Sequence, residues 1–140
     1  MACKRFEALE HTADKGIKAY GSTFEELCEN AAYGMFSLMA DLERYKPVFS
    51  RTIEVSADEP EELLRAWLGE LLYQFEVDEV LFVEFKVTKV EDGRLIGIAW
   101  GLPFDHQIEW LGATIKAVTH HGLYVRQTDS CWEAQVIFDV

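Results

Sequence analysis

Residues 64–100, LRAWLGELLYQFEVDEVLFVEFKVTKVEDGRLIGIAW, decide the fold class because they change from helical to strand periodicity within one stretch. The first part repeats large apolar residues every three or four positions, which predicts an amphipathic helix. The second part alternates apolar and polar residues over 81–88, which predicts a half-buried strand. Asp92-Gly93 then predicts a two-residue type I′ turn, after which residues 95–100 return as a second strand.

The same periodicities extend to the rest of the chain. A second amphipathic helix is predicted over 24–39, where Ser22 and Thr23 offer two overlapping capping boxes. Asp58 is predicted to cap the other helix, with Pro60 in its first turn. Two helices beside many strands, unevenly distributed, indicate an α+β fold with a mostly antiparallel or mixed sheet. The remaining predicted strands cover 5–9, 17–20, 51–56, 115–119, 123–125 and 132–138.

Length and composition are those of one globular domain, which we expect to span residues 1–140. Apolar residues make up 49% and charged residues 27%, so disorder is not expected. No apolar run approaches the roughly 20 residues of a membrane-spanning helix, and no secretory signal is visible. Three widely spaced cysteines, Cys3, Cys28 and Cys131, are best explained as reduced thiols. A cytoplasmic protein without a membrane partner is expected.

The charge balance narrows the class of partner. Thirteen basic residues against 25 acidic ones give a formal net charge of −12. Proteins that hold nucleic acid over a broad surface obtain their affinity from lysine and arginine, so extensive direct nucleic-acid binding is not expected. A cation or a basic protein partner is favoured instead.

Carboxylates at both ends of the chain are the candidate metal ligands. Asp14 lies in the turn sequence HTADKG, where it either bonds its own backbone or faces a ligand. Asp139 follows the apolar run 136–138, and Val140 is the last residue. If the last strand reaches the Asp14 turn, these oxygens converge, and such hard ligands suit Ca²⁺, Mg²⁺ or Mn²⁺.

Basic residues near the end of the chain are the other candidates. Lys116 stands in a mainly apolar stretch, where it either extends its ammonium to solvent or places it near the carboxylates. His120 and His121 are adjacent in a predicted strand, so their rings should point to opposite faces and cannot both bind one metal. The sequence contains no P-loop, GxGxxG, HExxH or GxSxG motif.

Four blocks of the sequence together resemble the archease family. They occur in family order over nearly the whole chain, and the length and the acidic character are also similar to those of the family. The blocks are HTADKGI with AYGSTFEELCENAA (11–32), ELLRAWLGELLY (62–73), IKAVTHHGLYV (115–125) and VIFDV (136–140).

The resemblance implies a small α+β accessory protein, not an enzyme, that assists an RtcB-type RNA ligase in tRNA splicing. Such a ligase first transfers GMP from GTP to its own histidine, and archease promotes this guanylylation and repeated turnover. Family members bind a divalent cation, assigned as calcium. The resemblance places the cation ligands at Asp14, Asp139 and Val140, and ligase activation at Lys116 and His11. Metal delivery, GTP positioning and conformational activation all stay open.

Two other functions fit the same residues. One is a metal-dependent hydrolase that uses the carboxylates, with His11 or His120 as the base. The other is a general chaperone or modulator of nucleic-acid enzymes that acts through the acidic surface without a metal. Phosphoester turnover by the protein alone would favour the first, and indifference to chelators would favour the second.

Overall fold

The computed structural model describes residues 4–10, 15–112 and 114–140. Within these residues two α-helices, α1 (Phe24–Ser37) and α2 (Pro60–Asp78), are interspersed with strands. The combination confirms the predicted α+β class. The strands are β1 (Phe6–Glu10), β2 (Lys15–Gly21), β3 (Phe49–Ser56), β4 (Val80–Glu91), β5 (Arg94–Pro103), β6 (Ala117–Val118), β7 (Tyr124–Gln127) and β8 (Trp132–Asp139).

The strands form two sheets, and every pairing among the described residues is antiparallel. The first sheet has the order β1-β2-β8-β6, with β7 also paired to β8, and the second has the order β3-β5-β4. The sequence predicted one sheet, and the structure divides the strands between two. Helix α1 contacts β2 of the first sheet and β4 of the second, so its apolar residues join two separate sheets into one core.

Large aromatic side chains fill the space between the helices and the sheets. Phe36 of α1 stacks on Phe85 at a centroid distance of 5.8 Å and meets Phe82 edge-on at 6.0 Å. Trp67 of α2 is fully buried, and its indole N–H donates to the carbonyl oxygen of Cys28 in α1 at 3.0 Å. Burying each such side chain contributes about 1.5–3 kcal/mol, so these contacts fix both helices on the sheets.

The two helix starts test the capping predictions, and one of them is wrong. At α1 the Glu26 N–H donates to Thr23 Oγ1 at 3.1 Å, while the Ser22 N–H donates to the Glu26 carboxylate at 2.9 Å. At α2 the N-cap is Glu59 instead of Asp58, and its side chain makes no capping bond. Because Pro60 is the first helical residue, it holds the preceding residue in extended conformation, here φ −114° and ψ 148°.

The hairpin between β4 and β5 confirms the turn that the sequence predicts. Asp92 has a φ of 53° and Gly93 a φ of 72°, and Glu91 pairs directly with Arg94. Positive φ at both central residues is the requirement of a type I′ turn. The register of β4 and β5 next to the turn is therefore set locally by two residues.

The predicted strand around the two histidines is wrong in its extent. Only Ala117–Val118 of the predicted segment 115–119 is a strand, and His120 and His121 lie in the turn that follows it. Gly122 closes this turn with a φ of 65°, and the His121 N–H donates to Thr119 Oγ1 at 3.2 Å. The argument that the two rings face opposite sides of a strand therefore does not apply.

The cysteines behave in two different ways. Cys28 is fully buried and free, as expected, and burial raises the pKa of its thiol well above the ordinary value. Cys131 is disulfide-bonded, so the predicted reduced thiol is wrong at that position. Cys131 precedes β8 and is half-buried, whereas Cys28 is enclosed in the core. Cys3 lies outside the described residues.

No helix in the described part of the chain is long and apolar enough to cross a membrane.

Candidate functional site

Three of the predicted site residues, Lys116, Asp139 and Val140, lie at the carboxyl end of β8. Strand β8 lies between β2 and β6, with Lys15 of β2 opposite Phe138 and Ala117 of β6 opposite Asp139. The Lys116 backbone N–H donates to the Asp139 carbonyl oxygen at 2.7 Å. Lys116 and Asp139, separated by 22 intervening positions in the sequence numbering, are thus brought side by side by strand pairing.

Asp139 is the exposed side chain at this end of β8. The three residues that precede it, Val136, Ile137 and Phe138, are all buried, so the burial of both faces of the strand ends at Asp139. Lys116 is exposed as well. Among the described residues neither the Asp139 carboxylate nor the Lys116 ammonium has an ion-pair partner, so both charges face solvent and are open to a ligand or a partner protein.

Val140 anchors the end of the chain. Its side chain is half-buried and packs against the core, which holds the neighbouring Asp139 in place. The backbone of Asp139 is also fixed, since its carbonyl oxygen accepts from Lys116. The last two residues therefore have a defined position instead of a free one.

His11 and Asp14 lie outside the described residues, so the predicted role of each stays a prediction. Asp14 is joined by a peptide bond to Lys15, which pairs with Phe138. The described sheet thus brings the strand that follows Asp14 beside the strand that carries Asp139. This adjacency is what the convergence hypothesis required of the fold.

The chemistry of the available donors fits a hard divalent cation in kind. The described residues contribute the Asp139 carboxylate and the backbone oxygens of Val140, all of them oxygen donors of the type that Ca²⁺ and Mg²⁺ prefer. No group of three or more His, Cys, Asp or Glu side chains able to hold a metal occurs among the described residues. A complete ligand set would therefore need Asp14 as well.

Lys15 is a candidate functional residue that was not singled out from the sequence. It begins β2 beside the end of β8, and its ammonium nitrogen lies 3.4 Å from the position that a Cβ on Gly112 would take. The loop containing Gly112 is fixed by the Leu111 N–H, which donates to the Met39 carbonyl oxygen at 2.8 Å. The signal available in the sequence was its position directly after Asp14.

His120 contacts helix α2 and not the end of β8. Its Nε2 lies 2.9 Å from Glu62 Oε1 on α2. Both side chains are substantially exposed, so this pair contributes little to stability. The pairing connects the turn after β6 to the first turn of α2, and it gives His120 a structural partner.

Comparison with known proteins identifies the family. The family model described as "Archease protein family (MTH1598/TM1083)" matches residues 6–140. The "Protein archease" of Methanosarcina mazei is 40% identical over 141 residues, which cover 98% of this chain and 97% of the relative. The chain belongs to the archease family. The "Protein archease" of Methanopyrus kandleri is 35% identical, with 96% of this chain and 99% of the relative covered.

Solved structures of similar proteins agree with the fold. The solution structure of Methanobacterium thermoautotrophicum protein 1598 is 35% identical, with a TM-score of 0.85 over 97% of this chain and 99% of that one. The Thermotoga maritima crystal structure, titled "an archease, possible chaperone", has a TM-score of 0.66 at 20% identity, with 96% of each chain covered. At 20% identity, the similarity to the second structure is one of fold alone. The α+β arrangement is thus the archease fold.

Proposed function

We propose that this protein is an accessory protein that activates an RtcB-type RNA ligase in tRNA splicing, by promoting guanylylation and multiple turnover of the ligase. Membership of the archease family over residues 6–140 is the observation that carries the proposal. The structure adds support, because Lys116 and Asp139 lie together and exposed at one end of the sheet. A role in activating a partner enzyme does not require a catalytic motif, and the sequence contains no P-loop, GxGxxG, HExxH or GxSxG motif.

A divalent cation, most simply Ca²⁺, would be held by Asp14, Asp139 and the backbone oxygens of Val140. The bound ion would supply a concentrated positive charge for oxygen ligands of the partner. Strand β2, which begins directly after Asp14, pairs with β8, which ends at Asp139, and this pairing supports the proposed ligand set. Lys116, whose backbone N–H donates to the Asp139 carbonyl oxygen, would use its exposed ammonium to contact a phosphate or to offset charge at the site.

Electrostatics favour a protein partner that itself handles RNA. An RNA-binding ligase needs a basic surface. A chain with a net charge of −12 is attracted to such a surface and accelerates encounter at low ionic strength. We therefore expect the activation to weaken as salt concentration rises, in the way that steered association does.

Ligation by a cognate RtcB-type ligase at fixed Mn²⁺ and GTP, under single- and multiple-turnover conditions, tests the proposal. We expect the wild-type protein to increase multiple turnover, and Asp14→Ala and Asp139→Ala to lose most of the increase. Asp129→Ala is the matched control, because Asp129 is an exposed aspartate near the opposite end of β8.

The outcomes separate the three candidate functions. Stimulation by the wild type and the control but not by the two site variants supports the accessory role and the site. Stimulation that survives both site substitutions, and treatment of this protein with a chelator that is removed before the assay, supports a metal-independent chaperone or modulator. Phosphoester hydrolysis by the protein alone, with no stimulation of an active ligase, supports the hydrolase.

A further inference from the structure

A groove of about 410 Å³ runs between helix α2 and the edge strand β6. Ala66 and Gly69 of α2 line one side and Val118 of β6 lines the other. Arg65 and Lys116 also border the groove, so it reaches the residue that the proposed function places in the activation site. The groove and the candidate site are therefore one continuous surface.

No packing contact within the described chain requires a glycine at position 69. It lies in the interior of the 19-residue helix α2, where glycine is less stable than alanine. A Cβ added at Gly69 would meet no atom within 4 Å. Gly34 of α1 is different, because a Cβ there would stand 3.0 Å from the ring of Phe6. Intramolecular packing explains Gly34 and leaves Gly69 open to a partner that approaches the helix closely.

The same face of α2 carries apolar side chains that the core does not use. Tyr73 is 59% exposed and Val77 is 57% exposed. They follow Gly69 at four-residue intervals, so all three lie on one side of the helix. Large apolar side chains with such exposure beside a groove are typical of a protein-binding surface.

Two cationic side chains, Arg65 and Lys116, border the groove. The Arg65 Nε is buried and has no hydrogen-bond partner, although one terminal nitrogen lies 3.9 Å from Glu62. Lys116 forms no ion pair there. Acidic residues outnumber basic ones 25 to 13 in the whole chain, so two cationic side chains beside one groove, with Lys116 unpaired among the described residues, are complementary to carboxylates from another molecule.

The edge of the sheet offers backbone groups as well. Strand β6 is the last strand in the order of its sheet, and Thr119 donates its N–H to Ile137 of β8 at 3.1 Å. Because backbone groups alternate sides along an antiparallel strand, those of Val118 point away from β8. An extended peptide could pair with this edge, which is a common mode of peptide recognition.

We propose that this groove binds an extended, apolar and acidic segment of the partner ligase, a proposal that rests on the proposed function. An apolar side chain of that segment lies over Gly69, and its carboxylates accept from Arg65 and Lys116. The α2 residues of the groove, Arg65 to Glu76, span about 16 Å of helix. This length matches about five residues of extended chain.

Filling the groove tests the proposal without disturbing the core. Gly69→Trp and Gly69→Leu add side chains into open space, and Val48→Trp adds the same ring at a residue that is already 60% exposed and does not border the groove. The concentration of each protein that gives half-maximal stimulation of the ligase is measured, together with its thermal unfolding. We expect an increase of about tenfold or more for both Gly69 variants and no change for Val48→Trp.

Three results are distinguishable. Weakened stimulation by folded Gly69 variants, with Val48→Trp unchanged, supports the groove as the docking surface. Unchanged stimulation by both Gly69 variants overturns the docking proposal and leaves the proposed function intact. Absence of stimulation by the wild-type protein overturns the proposed function and the docking proposal that rests on it.

Discussion

Gly16 sets the separation of β2 and β8 next to the candidate site, and Gly16→Ala tests whether that separation matters. A Cβ at this position would stand 2.7 Å from Ile137 Cδ1 and 2.9 Å from the Val136 carbonyl oxygen. The Ile137 methyl can rotate away, but the carbonyl belongs to the backbone of β8. The two strands must therefore separate by about 0.5 Å before the new contact becomes ordinary.

The expected loss of stability follows from this overpacking. Inserting a methyl group into a packed interior without room costs about 1–3 kcal/mol of the free energy of unfolding. For 140 residues, at about 2 cal/mol/K per residue, the entropy of unfolding near the midpoint is about 0.3 kcal/mol/K. The Tm should therefore fall by about 3–10 °C, as measured by thermal unfolding followed by circular dichroism.

The functional effect should exceed the effect on stability. Lys15 neighbours Gly16 and pairs with Phe138, so separation of the strands displaces the segments that carry Asp14 and Asp139. Displacements below 1 Å in a binding constellation cost about tenfold or more in rate. We expect Gly16→Ala to reduce stimulation of an RtcB-type ligase by about tenfold at a temperature where it is fully folded.

Gly34→Ala is the matched control for that experiment. Its new Cβ would stand 3.0 Å from the Phe6 ring and 3.2 Å from Ile17 Cδ1, so it also overpacks the core, but against side-chain atoms instead of the backbone of β8. It should lower the Tm and leave stimulation unchanged. Equal stimulation by the two folded variants would refute the reasoning that the β2–β8 separation positions the site.

Three further predictions concern stability, ionisation and the activation site. Trp67→Phe removes a buried hydrogen bond to Cys28 and leaves a cavity, so the free energy of unfolding in urea should fall by about 2–3 kcal/mol; a loss below about 1 kcal/mol would show that this contact does not fix α2. Burial, followed by hydrogen bonds to Glu7 and Glu133, raises the pKa of Tyr20 and of Tyr124 from 10.0 to about 12. The stability that these neutral phenols contribute is complete below pH 10 and is lost as pH rises through about 12. Tyrosinate absorbance and the free energy of unfolding, both measured as a function of pH, should therefore change over the same pH range. Lys116→Met should reduce ligase stimulation by about tenfold while Lys46→Met, also at an exposed lysine, should not, and equal stimulation by the two variants would remove Lys116 from the site.

Local patterns were sufficient for the elements that one short segment specifies. The Asp92-Gly93 turn is predicted correctly because positive φ at both positions is a property of these two residue types. Helix α2 is predicted because its apolar residues repeat at helical spacing, and the same residues are the ones that the structure buries.

Competition between neighbouring signals explains the errors. Asp58 is a good capping residue by type, but Pro60 moved the helix start and made Glu59 the N-cap. His120 and His121 follow β-rich residues, but Gly122 and the Thr119 hydroxyl turn the chain there. The residue types alone do not show which of two competing local preferences the chain adopts. The packing of the folded protein decides between them.

The candidate site shows the same limit over a longer range. The sequence suggested Asp139 and Lys116 separately, and only the pairing of β6 with β8 places Lys116 beside Asp139. Lys15 was not singled out, since its role depends on the register between β2 and β8. Spacing along a chain carries no information about which strands become neighbours in a sheet.

The rate at which a cognate RtcB-type ligase becomes guanylylated tests the central claim most directly. Incorporation of labelled GMP from GTP into the ligase is followed with no addition, with wild-type protein, with Asp139→Ala and with Asp129→Ala as the control at the other end of β8. The account predicts faster incorporation with the wild type and with Asp129→Ala, and little acceleration with Asp139→Ala. The same rate with and without the wild-type protein, for a ligase that is active on its own, would contradict it.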